Sequence, residues 1–185
     1  VAAYVLCWPA STSPRHSWNS YFLIIAREVS TRATCPRASV GVVFVDPKHR
    51  IVATGYNGSP PGQSHCTDPV GHDDGPCSNQ RWEGEVWACD KKEHNGTIGC
   101  LMVEGHCSRA THAEANAVAY GGRDLAGSTL YIHGYPPCHV CAKLVVTAGV
   151  VRIVWRGERD YLQEHPADPG ALLLEEAGVK LERAT

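Results

Sequence analysis

Two short segments constrain this chain more than anything else in it: His112-Ala113-Glu114 and, downstream, Pro137-Cys138-His139-Val140-Cys141. One imidazole and two thiolates make three ligands, and zinc held by three protein groups keeps a fourth tetrahedral position for water. A fold that uses them must bring two separated segments together around one ion. Cys138 and Cys141 have helical spacing, so both sulfurs face one side of a helix. The first turn of that helix favours thiolate through its dipole and free N–H groups, and Pro137 loses no hydrogen bond there. Glu114 is the informative neighbour. At the start of a helix His112 and Glu114 can flank one pocket, the imidazole toward metal and the carboxylate toward water. Zinc lowers the pKa of its water to about 7, and a carboxylate in reach can take that proton and pass it on. The plainer alternative is a structural zinc knuckle with the His-Glu pair beside it by coincidence. The order of the half-motifs, each opening a helix, favours a reactive centre.

The rest of the chain reads as a scaffold for these segments. Trp18–Thr31 has helical spacing of Tyr21, Phe22, Ile24, Ile25 and Val29, with Ser17 as N-cap. Ser39–Val45 and Ile51–Gly55 read as a hairpin turning at Asp46-Pro47, followed by a loop over Tyr56–Gly62. Then come a helix over Ala113–Tyr120, a strand over Thr129–His133 and a helix over Pro137–Ala148 closed by Gly149. A strand over Val150–Trp155, a helix over Ala171–Ala177 and a last strand over Val179–Leu181 complete the order. Trp18 and Trp155 read as core. The order predicts an α/β fold of three layers, α/β/α, around a central mixed five-stranded sheet. Cys66–Gly105 is irregular apart from a short strand or helix near Trp82–Trp87, and a stretch that long is usually functional or disordered.

The length of 185 residues favours one domain. We expect it over 17–185, with an insertion at about 67–99 and a leader over 1–16. Val1–Ala10 is too short to span a bilayer and has no basic segment before it, so no membrane or secretory segment is expected. A formal charge of −2 argues against strong nonspecific binding to nucleic acid. Nine cysteines, an odd number, mixed with ten histidines suggest metal in a reducing, cytoplasmic compartment, not a disulfide framework.

The pattern H-x-E…P-C-x-x-C is the signature of zinc nucleobase deaminases, and the sequence resembles the cytidine deaminase-like superfamily. Within it, the chain is similar to deoxycytidylate (dCMP) deaminases from about Ser17 to Leu181. The residues that carry this likeness include Gly55-Tyr56-Asn57-Gly58-Ser59-Pro60, His65-Cys66, Gly105-His106-Cys107, and Asn116 two residues after Glu114. The resemblance implies hydrolysis of dCMP to dUMP and ammonia at a zinc held by His112, Cys138 and Cys141, with Glu114 moving protons. It implies a small-molecule nucleotide substrate contacted by Asn57, the backbone at Ala113, Ser59 and Tyr131. For Asn57 a plain Asn-Gly turn, and for Tyr131 a core strand position, are the ordinary alternatives. It further implies a homo-oligomer, hexamers being common, and regulation by dCTP and dTTP.

The resemblance also implies a second, structural zinc held by Cys35, Cys66, His106 and Cys107, with Cys100 or His65 as other candidates for the fourth ligand. Buried, metal-free cysteines are the alternative. Cys77 and Cys89 with His72 or His94 follow no recognisable ligand spacing. The 67–99 segment and the doubled Pro136-Pro137 depart from close relatives and open the choice of substrate to a modified cytosine nucleotide. A deaminase of bases in RNA or DNA and a noncatalytic zinc module are the remaining readings; Glu114 argues against the last.

Overall fold

The computed structural model describes residues 14–63, 65, 71–72, 75–76, 80–82, 87–89, 102–103, 106–107 and 109–184. The first strand, β1 (Gly41–Val45), is buried at every position. That pattern belongs to a central strand covered on both faces. Its neighbours are β2 (Ile51–Tyr56) and β3 (Thr129–His133), both antiparallel to it. β4 (Arg152–Arg156) runs parallel to β3, and β5 (Lys180–Arg183) parallel to β4. The sheet order is β5-β4-β3-β1-β2, a mixed five-stranded sheet as expected.

Alternate residues of the same strands serve different layers. Val43, Val45, Tyr131 and Val154 face α1 (Trp18–Ser30) and pack on its Phe22, Leu23 and Ala26. Val42, Phe44, Leu130, Ile132, Ile153 and Trp155 face the other way. There they meet α2 (Ala113–Gly121), α3 (His139–Thr147) and α5 (Pro169–Glu176), which contribute Ala113, Ala117, Ala142, Val145 and Leu174. Among the described residues, helices therefore cover both faces, α1 on one side and α2, α3 and α5 on the other. The short α4 (Tyr161–Glu164), capped by Asp160, was not expected. Trp155 is core, but Trp18 is half-exposed and stacks on His49 with ring centroids 4.2 Å apart.

Several boundaries differ from expectation, α5 starting at Pro169 and not Ala171 and β1 at Gly41 and not Ser39 among them, and three of the differences have identifiable reasons. α3 starts at His139, not at Pro137, because Cys138 stays extended (φ −64°, ψ 167°) as its N-cap. β4 starts at Arg152 because Gly149, at φ +80°, and Val150 close α3 first: Gly149 N–H donates to Val146 and Val150 N–H to Val145. This is the Schellman pattern. The same Gly-Val step, Gly178-Val179, closes α5 through Glu175 and Leu174 and delays β5 to Lys180.

Most of the expected leader (1–13) and most of 67–99 lie outside the described residues. Within the latter, Gly71–His72 pairs with Gly75–Pro76, and Gln80–Trp82 with Trp87–Cys89. No helix among the described residues is long and apolar enough to cross a membrane.

Candidate active site

Two helix starts meet on the three-helix face. His112 is the N-cap of α2 (φ −70°, ψ 153°), and its side chain makes no capping hydrogen bond. α2 lies hard against β2 because position 55 is glycine: a methyl there would overlap the Ala113 carbonyl oxygen and stand 2.7 Å from the Ala117 nitrogen. The Tyr56–Gly62 loop is tied to the same start. Gly58 and Thr111 exchange backbone hydrogen bonds of 3.1 and 2.8 Å, and Asn116 Nδ2 donates to the Tyr56 carbonyl at 2.9 Å. Cys138 is the N-cap of α3, again without a capping hydrogen bond, and Cys141 is buried in the first turn.

His112 Nδ1 lies 3.5 Å from Cys138 Sγ and 3.4 Å from Cys141 Sγ. All three ligand atoms fall within 4.8 Å of one another, and no other such group occurs among the described residues. A tetrahedral ion with Zn–S of about 2.3 Å and Zn–N of about 2.0–2.1 Å sets sulfur and nitrogen roughly 3.5 Å apart. The donor set and its spacing therefore fit zinc. The protons the cluster shares point the same way. Cys141 donates to Cys138, which pushes the Cys138 thiol down to about 3, with the His112 contact helping against burial. The same bond, then burial, holds the Cys141 proton well above the usual thiol range. Contact with Cys138 raises His112 in spite of burial. A divalent cation reverses the balance at Cys141, because a coordinating thiol is deprotonated outright.

Glu114 is 5% exposed and lies near the His112 and Cys141 side chains. Burial pushes its pKa up, more than the nearby His112 charge pulls it down. A carboxyl held this way can carry a proton during a reaction and release it later.

The other expected residues divide. Asn57 is buried beside the site's loop, with both ends of its amide engaged: Nδ2 donates to the Ala38 carbonyl at 2.7 Å and Oδ1 accepts from Val40 N–H at 2.8 Å. The Ser59 hydroxyl is buried and has no hydrogen-bond partner among the described residues. Ala113 is buried in the first turn of α2. Tyr131 is not brought to the site. It points to the α1 face, where its hydroxyl donates to Asn19 at 3.2 Å, because it alternates with Leu130 and Ile132 along β3. Cys35 and Cys107 are half-buried, while Cys66 and the side chain of His106 lie outside the described residues.

Three residues near Cys138 carried no signal in the sequence. Tyr135 and Tyr161 pack edge to face at 5.7 Å, and Gly170 of α5 abuts the Pro137-Cys138 peptide. They come from separate segments, so no spacing joins them.

The family model for the cytidine and deoxycytidylate deaminase zinc-binding region matches residues 16–156. The chain is 34% identical over 173 residues to ComE operon protein 2 of Bacillus subtilis (strain 168), covering 91% of this chain and 72% of that one. It is 36% identical over 145 residues to the deoxycytidylate deaminase of Mycobacterium phage D29, covering 78% of this chain and 98% of the phage protein. Among solved structures, the dCMP deaminase from the cyanophage S-TIM5 in complex with dCMP and dUMP superposes with a TM-score of 0.60. That match has 23% identity and covers 93% of this chain and 100% of that chain, a likeness of fold.

Proposed function

The chain belongs to the cytidine and deoxycytidylate deaminase family, and from that premise we propose that it hydrolyses dCMP to dUMP and ammonia. The observation that carries this reading is the buried Glu114 carboxyl beside a His112–Cys138–Cys141 ligand set. A structural zinc needs no such acid beside it.

His112 through Nδ1, Cys138 and Cys141 would hold zinc, which supplies Lewis acidity that brings the pKa of water near neutral. Glu114 takes a proton from the attacking water as oxygen bonds to C4 of the pyrimidine. It delivers that proton to ring nitrogen N3. A second proton, from the new hydroxyl, goes by way of Glu114 to the exocyclic amine; the C4–N bond then breaks, ammonia leaves and a C4 carbonyl remains. Burial raises the Glu114 pKa, so the carboxyl holds each proton between steps. The Ser59 hydroxyl, unpartnered among the described residues and in the loop tied to the start of α2, supports a contact with the nucleotide's sugar or phosphate. Asn57 holds that loop in shape, and by the family likeness it would contact the nucleotide. Backbone at Ala113 would read the pyrimidine edge.

The same premise extends to finer points. A structural zinc on Cys35, Cys66, His106 and Cys107 is supported by the soft donor set and is tested by zinc content: two ions per chain against one. Effector binding by dCTP and dTTP and a homo-oligomer rest on the family alone, and a cytoplasmic setting on the odd cysteine count.

The test is ammonia release from dCMP, deoxycytidine, dCTP and 5-substituted dCMP, with and without added dCTP as effector. Fast release from dCMP is the expected result. Turnover of the 5-substituted nucleotide alone would keep the chemistry and replace the substrate. Silence on all of them by zinc-loaded protein would overturn the reading.

A further inference from the structure

The last long helix touches the ligand loop at a position with no side chain. Gly170 is the second residue of α5 and is buried. A methyl group there would overlap the Pro137 carbonyl oxygen and stand 2.9 Å from the Cys138 carbonyl carbon. Both neighbours are backbone atoms, which cannot swing aside as the end of a side chain can. Leu174, one turn further along the same face, is fully buried in the core, away from the ligand loop. The first turn is held from the other side. Asp168 caps it by accepting Ala171 N–H at 2.9 Å, and its second oxygen accepts from the Tyr161 hydroxyl at 3.2 Å. Tyr161 in turn packs edge-on against Tyr135, at the other end of the ligand loop. The 135–138 loop thus lies against a seat built from Tyr161, Asp168 and Gly170.

We infer that α5, seated through Gly170, is the positioning element for the metal ligand Cys138. It sets the Pro137-Cys138 peptide and, through it, the aim of the Cys138 sulfur. Cys138 needs such help from outside its own helix. It is the N-cap of α3, which holds its carbonyl through Ala142 N–H at 2.8 Å, but its side chain makes no capping hydrogen bond. This inference rests on the metal reading of the His112–Cys138–Cys141 cluster. Groups that orient metal ligands typically change metal affinity about 10–100-fold when altered.

The experiment compares Gly170→Ala with Leu174→Ala, loading each metal-free protein with cobalt(II), whose visible and near-ultraviolet bands report tetrahedral thiolate coordination. Gly170→Ala is expected to bind cobalt about 10–100-fold more weakly in chelator competition and to show altered bands. Leu174→Ala removes core contacts without pressing on the loop; its melting temperature should fall while its bands stay as in the parent protein. Parent-like affinity and bands in folded Gly170→Ala would overturn the inference. So would bands equally altered in folded Leu174→Ala, which would make the effect one of general stability. If Gly170→Ala does not fold, Asp168→Ala decides, because it loosens the same turn without adding bulk: weaker cobalt binding supports the inference and unchanged binding overturns it. Failure of the parent protein itself to bind cobalt would instead overturn the metal reading.

Discussion

The helices of this protein begin in two ways. α1, α4 and α5 are capped by Ser17, Asp160 and Asp168, each accepting a hydrogen bond from its own first turn. α2 and α3 have His112 and Cys138 in the same position, and neither side chain caps. A side chain that caps must bend back onto its helix, so it cannot also point away at an ion. Leaving out a good cap costs about 1 kcal/mol, and here the cost falls at the two starts that meet. The uncapped starts compensate through neighbours. β2 holds α2 through Gly55 and the Asn116–Tyr56 hydrogen bond, and α5 holds α3 through Gly170.

The comparison breaks first at Glu114, the buried acid at the start of α2 that the proposed mechanism makes the proton carrier. Glu114→Gln should retain metal and fold but lose about 10²–10⁴-fold in kcat; parent-like turnover would remove the proton-carrying role. Next, Cys138→Ser exchanges a ligand for a strong cap. Zinc content at the site should fall sharply, while the metal-free protein should gain up to about 1 kcal/mol in denaturant unfolding. A stable, fully zinc-loaded serine variant would contradict the division between the two kinds of start. On the capped side, Asp168→Ala should lower stability by about 1 kcal/mol, read in the same unfolding experiment.

The smallest effect belongs to the opposite face of the sheet, remote from both uncapped starts. Arg152 pairs with Glu182 at 2.7 Å, and this contact first, then Lys180, pulls the Glu182 carboxyl from 4.5 down to about 2. A depressed acid contributes stability above its unfolded pKa and loses it as pH falls. The difference between Glu182→Gln and the parent should therefore be present at neutral pH, at most about 1 kcal/mol because both partners are partly solvated. It should vanish between pH 4.5 and about 2. A difference that persists at the acid end would mean the ion pair is not its source.

Much of this was legible locally. The limits of β3 and the Ser17 cap follow from short-range pattern, as does the His-Glu and Cys-x-x-Cys chemistry. Even the late starts of β4 and β5 were readable, since Gly149-Val150 and Gly178-Val179 are helix stops before they are strand starts. Tyr131 shows where local reading ends. Alternation along β3 separates it from Leu130 and Ile132, but nothing local says which face carries the site.

The sequence by itself determined which groups could bind metal and move protons, because ligand identity, helical spacing and N-terminal position are properties of short segments. Only the tertiary structure decided that β3 sits between β1 and β4, that the starts of α2 and α3 converge, and that α5 closes on Cys138 through a missing side chain. Those outcomes depend on which apolar faces bury one another across long stretches of chain, and that packing leaves no mark on local spacing.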